Sequence, residues 1–159
     1  MAVINVTAGS QAILTLSNVS ADALPGASNG LSIPLLSDVT VGTTPGTVRY
    51  STLDSTSSSA FTTVMENEIS FNMLVDDDTF FGVANAVNSV ADQGLWSTSN
   101  SKTEIFFSVA FEGTDTGDYY FSGQGFIGGL APTASVEQAI WLSPGTIIVN
   151  GDLTKGTVA

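Results

Sequence analysis

Between Glu68 and Val75 every second side chain is apolar. Ile69, Phe71, Met73 and Val75 share one side, and Glu68, Ser70 and Asn72 the other. Only an extended strand sends successive side chains to opposite faces, so this segment is a strand with one wet and one dry side. The pattern returns from Lys102 to Phe111, where Ile105, Phe107, Val109 and Phe111 face one way and Glu104, Ser108 and Glu112 the other, with Phe106 the exception. A turn-rich stretch, Gly113 to Asp118, leads into a further strand from Tyr119 to Ile127, which predicts a hairpin over 102–127.

Around these strands the chain predicts more of the same kind. Gln11 to Leu16 is a short strand, and Leu31 to Leu36 is apolar but interrupted by Pro34. Ala134 to Leu142 predicts a strand with Val136, Ile140 and Leu142 inward and Ser135, Glu137 and Trp141 outward. Ser143-Pro144-Gly145 predicts its turn, and Thr146 to Asn150 the return strand. Apolar residues recur at spacings of three and four in only one place: Phe80, Val83, Ala84, Val87, Val90 and Ala91 define a helix over 78–91, with Gly94 placed to cap it. Strands, one helix and two hairpins predict a mostly β fold, an antiparallel β-sandwich or barrel with one flanking α-helix and a long extended loop.

That loop runs over 40–63. It is rich in Gly, Ser and Thr, with Pro45-Gly46 as a turn and a Ser57-Ser58-Ser59 tract. Two readings stand: a flexible surface loop, or an arm that orders against another subunit. Val48, Tyr50, Leu53 and Phe61 favour the arm, because a solvated linker has no use for them. The 159 residues thus divide into an N-terminal segment (1–39), the arm (40–63) and the β-rich body (64–159) of a single domain.

Composition removes many chemistries. Fifteen acidic residues against Arg49, Lys102 and Lys155 give a net charge of −12, which opposes binding to nucleic acid or to anionic lipid. Without Cys there are no disulfides or thiolate metal sites, and without His the commonest general base and metal ligand are missing. Catalytic triads therefore have no base. Glu66, Glu68, Glu104, Glu112 and Glu137 show no spacing that pairs two of them as in a glycosidase, and Trp96 and Trp141 are the only indoles to line a cleft. No enzyme, cofactor or metal is expected. No apolar run approaches the ~18 residues of a spanning helix. The start, Met-Ala-Val-Ile-Asn-Val, has neither basic residues nor a small-residue cleavage site, so no signal peptide is expected.

Three tempting motifs carry blander explanations. Neighbouring side chains in Asp76-Asp77-Asp78 diverge too far to share one calcium ion, whereas acids suit a helix start. Gly123, Gly125, Gly128 and Gly129 imitate a dinucleotide fingerprint, but no helix follows. In a strand they mark a bend, a bulge or a close backbone approach. Tyr119, Tyr120, Phe121 and Phe126 lack the basic groove that a base-stacking platform needs, and are core or interface aromatics.

The stretch from Tyr119 to Thr154 resembles the carboxy-terminal signature of tail tube proteins (major tail proteins) of long-tailed bacteriophages. A Gly-rich strand, a small-residue turn, a Ser-Val-Glu strand and a closing Gly-x-Leu-Thr occur in that order. The matching positions are Gly123, Gly125, Ile127, Ser135, Val136, Glu137, Gly151, Leu153 and Thr154. The preceding strand, helix and strand fall in the family's order, so the resemblance spans the last 95 or so residues.

The resemblance implies a structural subunit whose rings of six stack into a tube, found in the virion and made in the host cytoplasm. Its partners would be further copies and other tail proteins (baseplate or tail tip, tail terminator, tape measure). DNA would pass through without being bound, and no membrane is involved. The loop would be an arm reaching a neighbouring subunit or ring. An acidic, neutral-polar lumen would repel the duplex within a Debye length of ~8 Å, so Glu68, Ser70, Asn72, Ser135 and Glu137 are the candidates to line it. Two rivals remain: a capsid decoration (cement) protein, and a secreted carbohydrate-binding sandwich, which the absent signal peptide and scarce Trp disfavour.

Overall fold

The computed structural model describes residues 12–25, 27, 29–33, 36–83, 90–137 and 140–159. These form nine strands: β1 (Ile13–Ser17), β2 (Leu31–Ser32), β3 (Leu36–Tyr50), β4 (Ser59–Leu74), β5 (Ile105–Ala110), β6 (Tyr119–Gly128), β7 (Thr133–Ala134), β8 (Trp141–Val149) and β9 (Thr154–Thr157). Helices α1 (Asp77–Phe81) and α2 (Val90–Asn100) and a 3-10 turn at Ser20–Ala23 complete the described elements. All strands belong to one antiparallel sheet in the order β2-β1-β5-β6-β8-β4-β3, with β7 added beside β8 and β9 beside β6. Strands β1 and β3 stand far apart in that order yet come back into contact, so the sheet curls about its core as an open barrel. The mostly β, antiparallel expectation holds.

The alternation seen in the sequence decides what the curl encloses. Ile69, Phe71 and Met73 of β4 are buried, as are Ile105, Phe107 and Val109 of β5. Leu14 and Leu16 of β1, Ile127 of β6 and Ile147 of β8 join them in one cluster. Each such side chain contributes roughly 1.5–3 kcal/mol by leaving water. Phe80, Val90 and Leu95 close the cluster from the helices.

The helical region departs from a single helix over 78–91. Asp76 caps α1: its Oδ2 accepts the Thr79 backbone N–H at 3.1 Å and the Thr79 hydroxyl at 3.0 Å, the role expected of this acidic run. The helix stops at Gly82, whose φ of +92° breaks the periodicity, and Val83 is exposed. Ala84 and Val87, named for the apolar stripe, lie outside the described residues. Gly94 has the expected positive φ (+75°), but helix resumes beyond it as far as Asn100. The two glycines meet backbone to backbone. A Cβ on residue 94 would lie 2.6 Å from the Phe81 carbonyl carbon and 2.7 Å from the Phe80 oxygen.

Two other expectations are corrected. The tract over 40–63 is not irregular: β3 and β4 pair along most of their length as a long hairpin, from Leu36↔Met73 out to Tyr50↔Ser59. Pro45-Gly46 marks a shift of register within it rather than a turn. The hairpin expected over 134–150 is instead one continuous strand, β8, passing straight through Ser143-Pro144-Gly145. From 143 to 145 β8 is paired to β4 alone, so the missing Pro144 N–H leaves the other side unharmed. Gly145 serves packing. It pairs with Phe71, whose ring fills the space a Cβ would take. Val136, Ile140 and Leu142, expected in the core, are therefore exposed.

Candidate assembly surface

The outer half of the β3–β4 hairpin has no second layer over it. No residue from Pro45 to Met65 is buried, although Val48, Tyr50, Leu53, Phe61, Val64 and Met65 are large and apolar. Val48↔Phe61 and Tyr50↔Ser59 set Val48, Tyr50 and Phe61 on one face of the ribbon, and the Tyr50 and Phe61 rings stand 6.1 Å apart between centroids. An isolated two-stranded ribbon is marginal in water. Here the length of β4 helps, since its inner half is fixed between β3 and β8 inside the body. The connecting turn is tied by Ser55 N–H to the Thr52 carbonyl at 3.1 Å and by the Ser55 hydroxyl to the Ser57 carbonyl at 2.6 Å. The Asp54 carboxyl is held below the usual carboxylate range by the Thr52 hydroxyl and a backbone N–H, so the tip keeps its negative charge wherever ordinary acids do.

Behind the tip, the wet faces of β3 and β4 merge into a polar surface. Glu68, Ser70 and Asn72 lie in a row and are exposed or half-buried. In register they flank Gly42, Thr40 and Asp38 on β3, and Ile148, Thr146 and Pro144 on β8. Asn72 Nδ2 donates to both Asp38 oxygens at 2.9 Å, and the Ser70 hydroxyl donates to Glu68 Oε1 at 3.1 Å. These neutral donors pin the carboxylates along the strands without cancelling their charge. Ser135 and Glu137 are exposed too, but in the connection between β7 and β8, outside this row.

The motif glycines earn their places in different ways. Gly125 sits where the Ile148 carbonyl leaves no space for a Cβ, the close backbone approach expected of it. Gly123 lies under the Phe107 ring, Ile127 is core, and Gly151 has a φ of +99° in the turn before β9. Asn67 Nδ2 donates to the Gly151 carbonyl at 3.3 Å, tying the hairpin's base to that turn. Leu153 packs against the core, Thr154 pairs with Ser122, and Val136 is fully exposed. Between hairpin base and β9 runs an open groove of about 750 Å³ lined by Val41, Met65, Phe111, Phe121 and Leu153. Among the described residues no three acidic side chains converge as metal ligands would.

The antiparallel fold as a whole has solved counterparts. The fold is shared with solved phage and phage-like tail structures. The chain is similar to a structure of the tail of an empty gene transfer agent particle, refined helically with C6 symmetry (TM-score 0.58, 14% identity, covering 91% of this chain and 96% of that one). It is similar to a chain of the native gene transfer agent virion (0.55, 15% identity, 90% and 95%) and to the SPP1 tail tube solved by solid-state NMR and electron cryomicroscopy (0.59, 10% identity, 95% and 79%). No protein-family profile and no curated protein matches the sequence.

Val64 and Met65 extend the tip beyond the four residues that the sequence points to, and Asp38 joins the row as the partner of Asn72. The alternation Asp38-Val39-Thr40-Val41 and the β-branched run Thr62-Thr63-Val64 were the available signals.

Proposed function

We propose that this protein is a structural tail tube subunit of a long-tailed phage-like particle, with no enzymatic activity. Six copies close a ring, the rings stack, and DNA leaves through the bore. The observation that carries this reading is the uncovered hairpin. Its tip exposes six large apolar side chains on a chain with a net charge of −12, a surface that makes sense only when another molecule covers it. The shared fold supports the same reading. Within it, the residues over 40–63 are the inter-subunit arm. The row of Glu68, Ser70 and Asn72, with Asp38 beside it, lines the lumen. Its fixed carboxylates repel phosphate and offer DNA nothing to bind. Tail tip or baseplate, terminator and tape measure proteins are the further partners, in the virion.

Negative-stain microscopy of the purified protein tests this. Stacked rings of six are expected, forming more readily as added salt screens the like charges of the subunits. Compact trimers would indicate a shell cement protein instead, and a monomer at every concentration and ionic strength would end the proposal.

The lumen assignment has its own test. Particles carrying Asp38→Lys with Glu68→Lys are expected to assemble but to release DNA roughly tenfold more slowly, since each lysine adds a phosphate contact. Unchanged release kinetics would place this face away from the bore.

A further inference from the structure

The hairpin tip has a counterpart at the other end of the strand that carries it. Strand β4 starts at Ser59 in the tip and ends at Leu74, a length of 16 residues. At ~3.3 Å per residue the two ends are about 50 Å apart. At the far end Leu74 pairs with Leu142, and the Val75 N–H donates to the Trp141 carbonyl at 2.9 Å. Here Val136 is fully exposed, and Ile140, Trp141 and Leu142 are each roughly half exposed. An apolar projection and an apolar patch thus stand too far apart to meet within one copy.

We propose that they meet between copies. The tip face formed by Val48, Tyr50 and Phe61 docks on Val136, Ile140 and Leu142 of a second copy, and Arg49 of the tip pairs with Glu137 of the receiving copy. Charge favours this occupant. From Pro45 to Met65 the chain holds one Arg and one Asp, so the tip is neutral within a molecule of net charge −12 and is the part least repelled by another copy. Arg49 is exposed on β3, the end strand of the sheet order, and its long stem can reach round the ribbon's edge to the face its neighbours Val48 and Tyr50 occupy. Glu137 lies one residue from Val136 in the patch. Because tip and patch are different surfaces, the contact is head to tail, so each copy offers a tip to one neighbour and a patch to another and the contact can repeat from copy to copy. The proposal rests on the tail tube reading and adds to it the surface that receives the arm. It also moves Glu137 from the lumen wall to a contact between subunits.

The absence of Cys from the chain makes a clean test possible. In wild-type-like assemblies of the Val48→Cys, Val136→Cys double variant, mild oxidation is expected to give a ladder of covalent multimers on a non-reducing gel, and neither single variant is expected to cross-link. In parallel, Arg49→Glu is expected to raise the concentration needed for assembly at least tenfold, and Arg49→Glu combined with Glu137→Arg to restore it. All four positions are exposed, so circular dichroism should report an unchanged fold. If the protein assembles but the double-cysteine variant stays monomeric on the gel, or the charge swap fails to restore assembly, the docking site is wrong and the tube reading survives. If the wild type never assembles, the tube reading falls and the docking site with it.

Discussion

Removing Pro45–Met65 and joining Thr44 to Glu66 through Asn-Gly yields a folded monomer that no longer assembles. Thr44 and Glu66 are register partners, so a two-residue turn closes the shortened hairpin without disturbing the pairs behind it. The excised residues bury nothing in the core, so urea denaturation should show stability within about 1 kcal/mol of the parent. Assembly loses far more. Six large apolar side chains leave with the segment, each worth roughly 1.5–3 kcal/mol when fully covered. Even after the cost of association is set against them, the concentration needed for assembly should rise at least about 100-fold, equivalent to about 2.7 kcal/mol. Light scattering and microscopy on the same samples give the readout. Tubes formed at the parent's concentration would show that the hairpin is not the arm. Register matters to the design: a cut from Thr43 to Ser59 would take away the β3 partners of β4 from Ala60 to Asn67.

Replacing Gly94 by Ala is expected to damage the body severely. The residue combines a φ of +75° with a neighbour that cannot yield, since the added methyl would press into the backbone from Phe80 to Gly82. With φ +75° and ψ 169° the backbone is in a region essentially open to glycine alone, and a Cβ there costs about 1–3 kcal/mol. Separating α1 from α2 would also loosen Phe80 and Leu95, both fully buried. Together these should cost roughly 3–5 kcal/mol, a large part of a typical domain's stability, and lower the urea midpoint accordingly. Gly128→Ala is the control. Nothing lies within 4 Å of its added methyl, its φ is not positive, and its midpoint should barely move. Equal effects at the two positions would refute the close contact between the helices.

The strands that the sequence revealed are those where burial imposes a period of two. Ile69, Phe71 and Met73, like Ile105, Phe107 and Val109, must alternate because one side of their strands is dry. The hairpin tip obeys no such demand within the subunit. Both its faces are exposed, so Ser, Thr and Gly were free to fill it, and its β-branched threonines were the remaining sign of extended backbone. Ser143-Pro144-Gly145 misled for the opposite reason. Turn-forming residues stand there because β8 lacks a second neighbour at Pro144 and because the Phe71 ring needs the room at Gly145. Both facts belong to tertiary structure. The exposure of Val136 and Ile140 was hidden likewise, since an apolar residue meant for another molecule reads the same as one meant for the core. Of the lumen candidates, the row on β4 was legible from alternation, while Ser135 and Glu137 followed a strand that does not form.

Strand β4 is one uninterrupted rod from the exposed tip to the buried core. Were a neighbouring copy to hold the tip and the filament to be stretched along that rod, the load would run lengthwise into the ladders that β4 shares with β3 and β8. Hydrogen bonds lying across the direction of pull must slide and break together, whereas bonds at a peeled edge fail one by one. A subunit built this way would resist tension as a lap joint does, with the strength of a long overlap concentrated in a single narrow member.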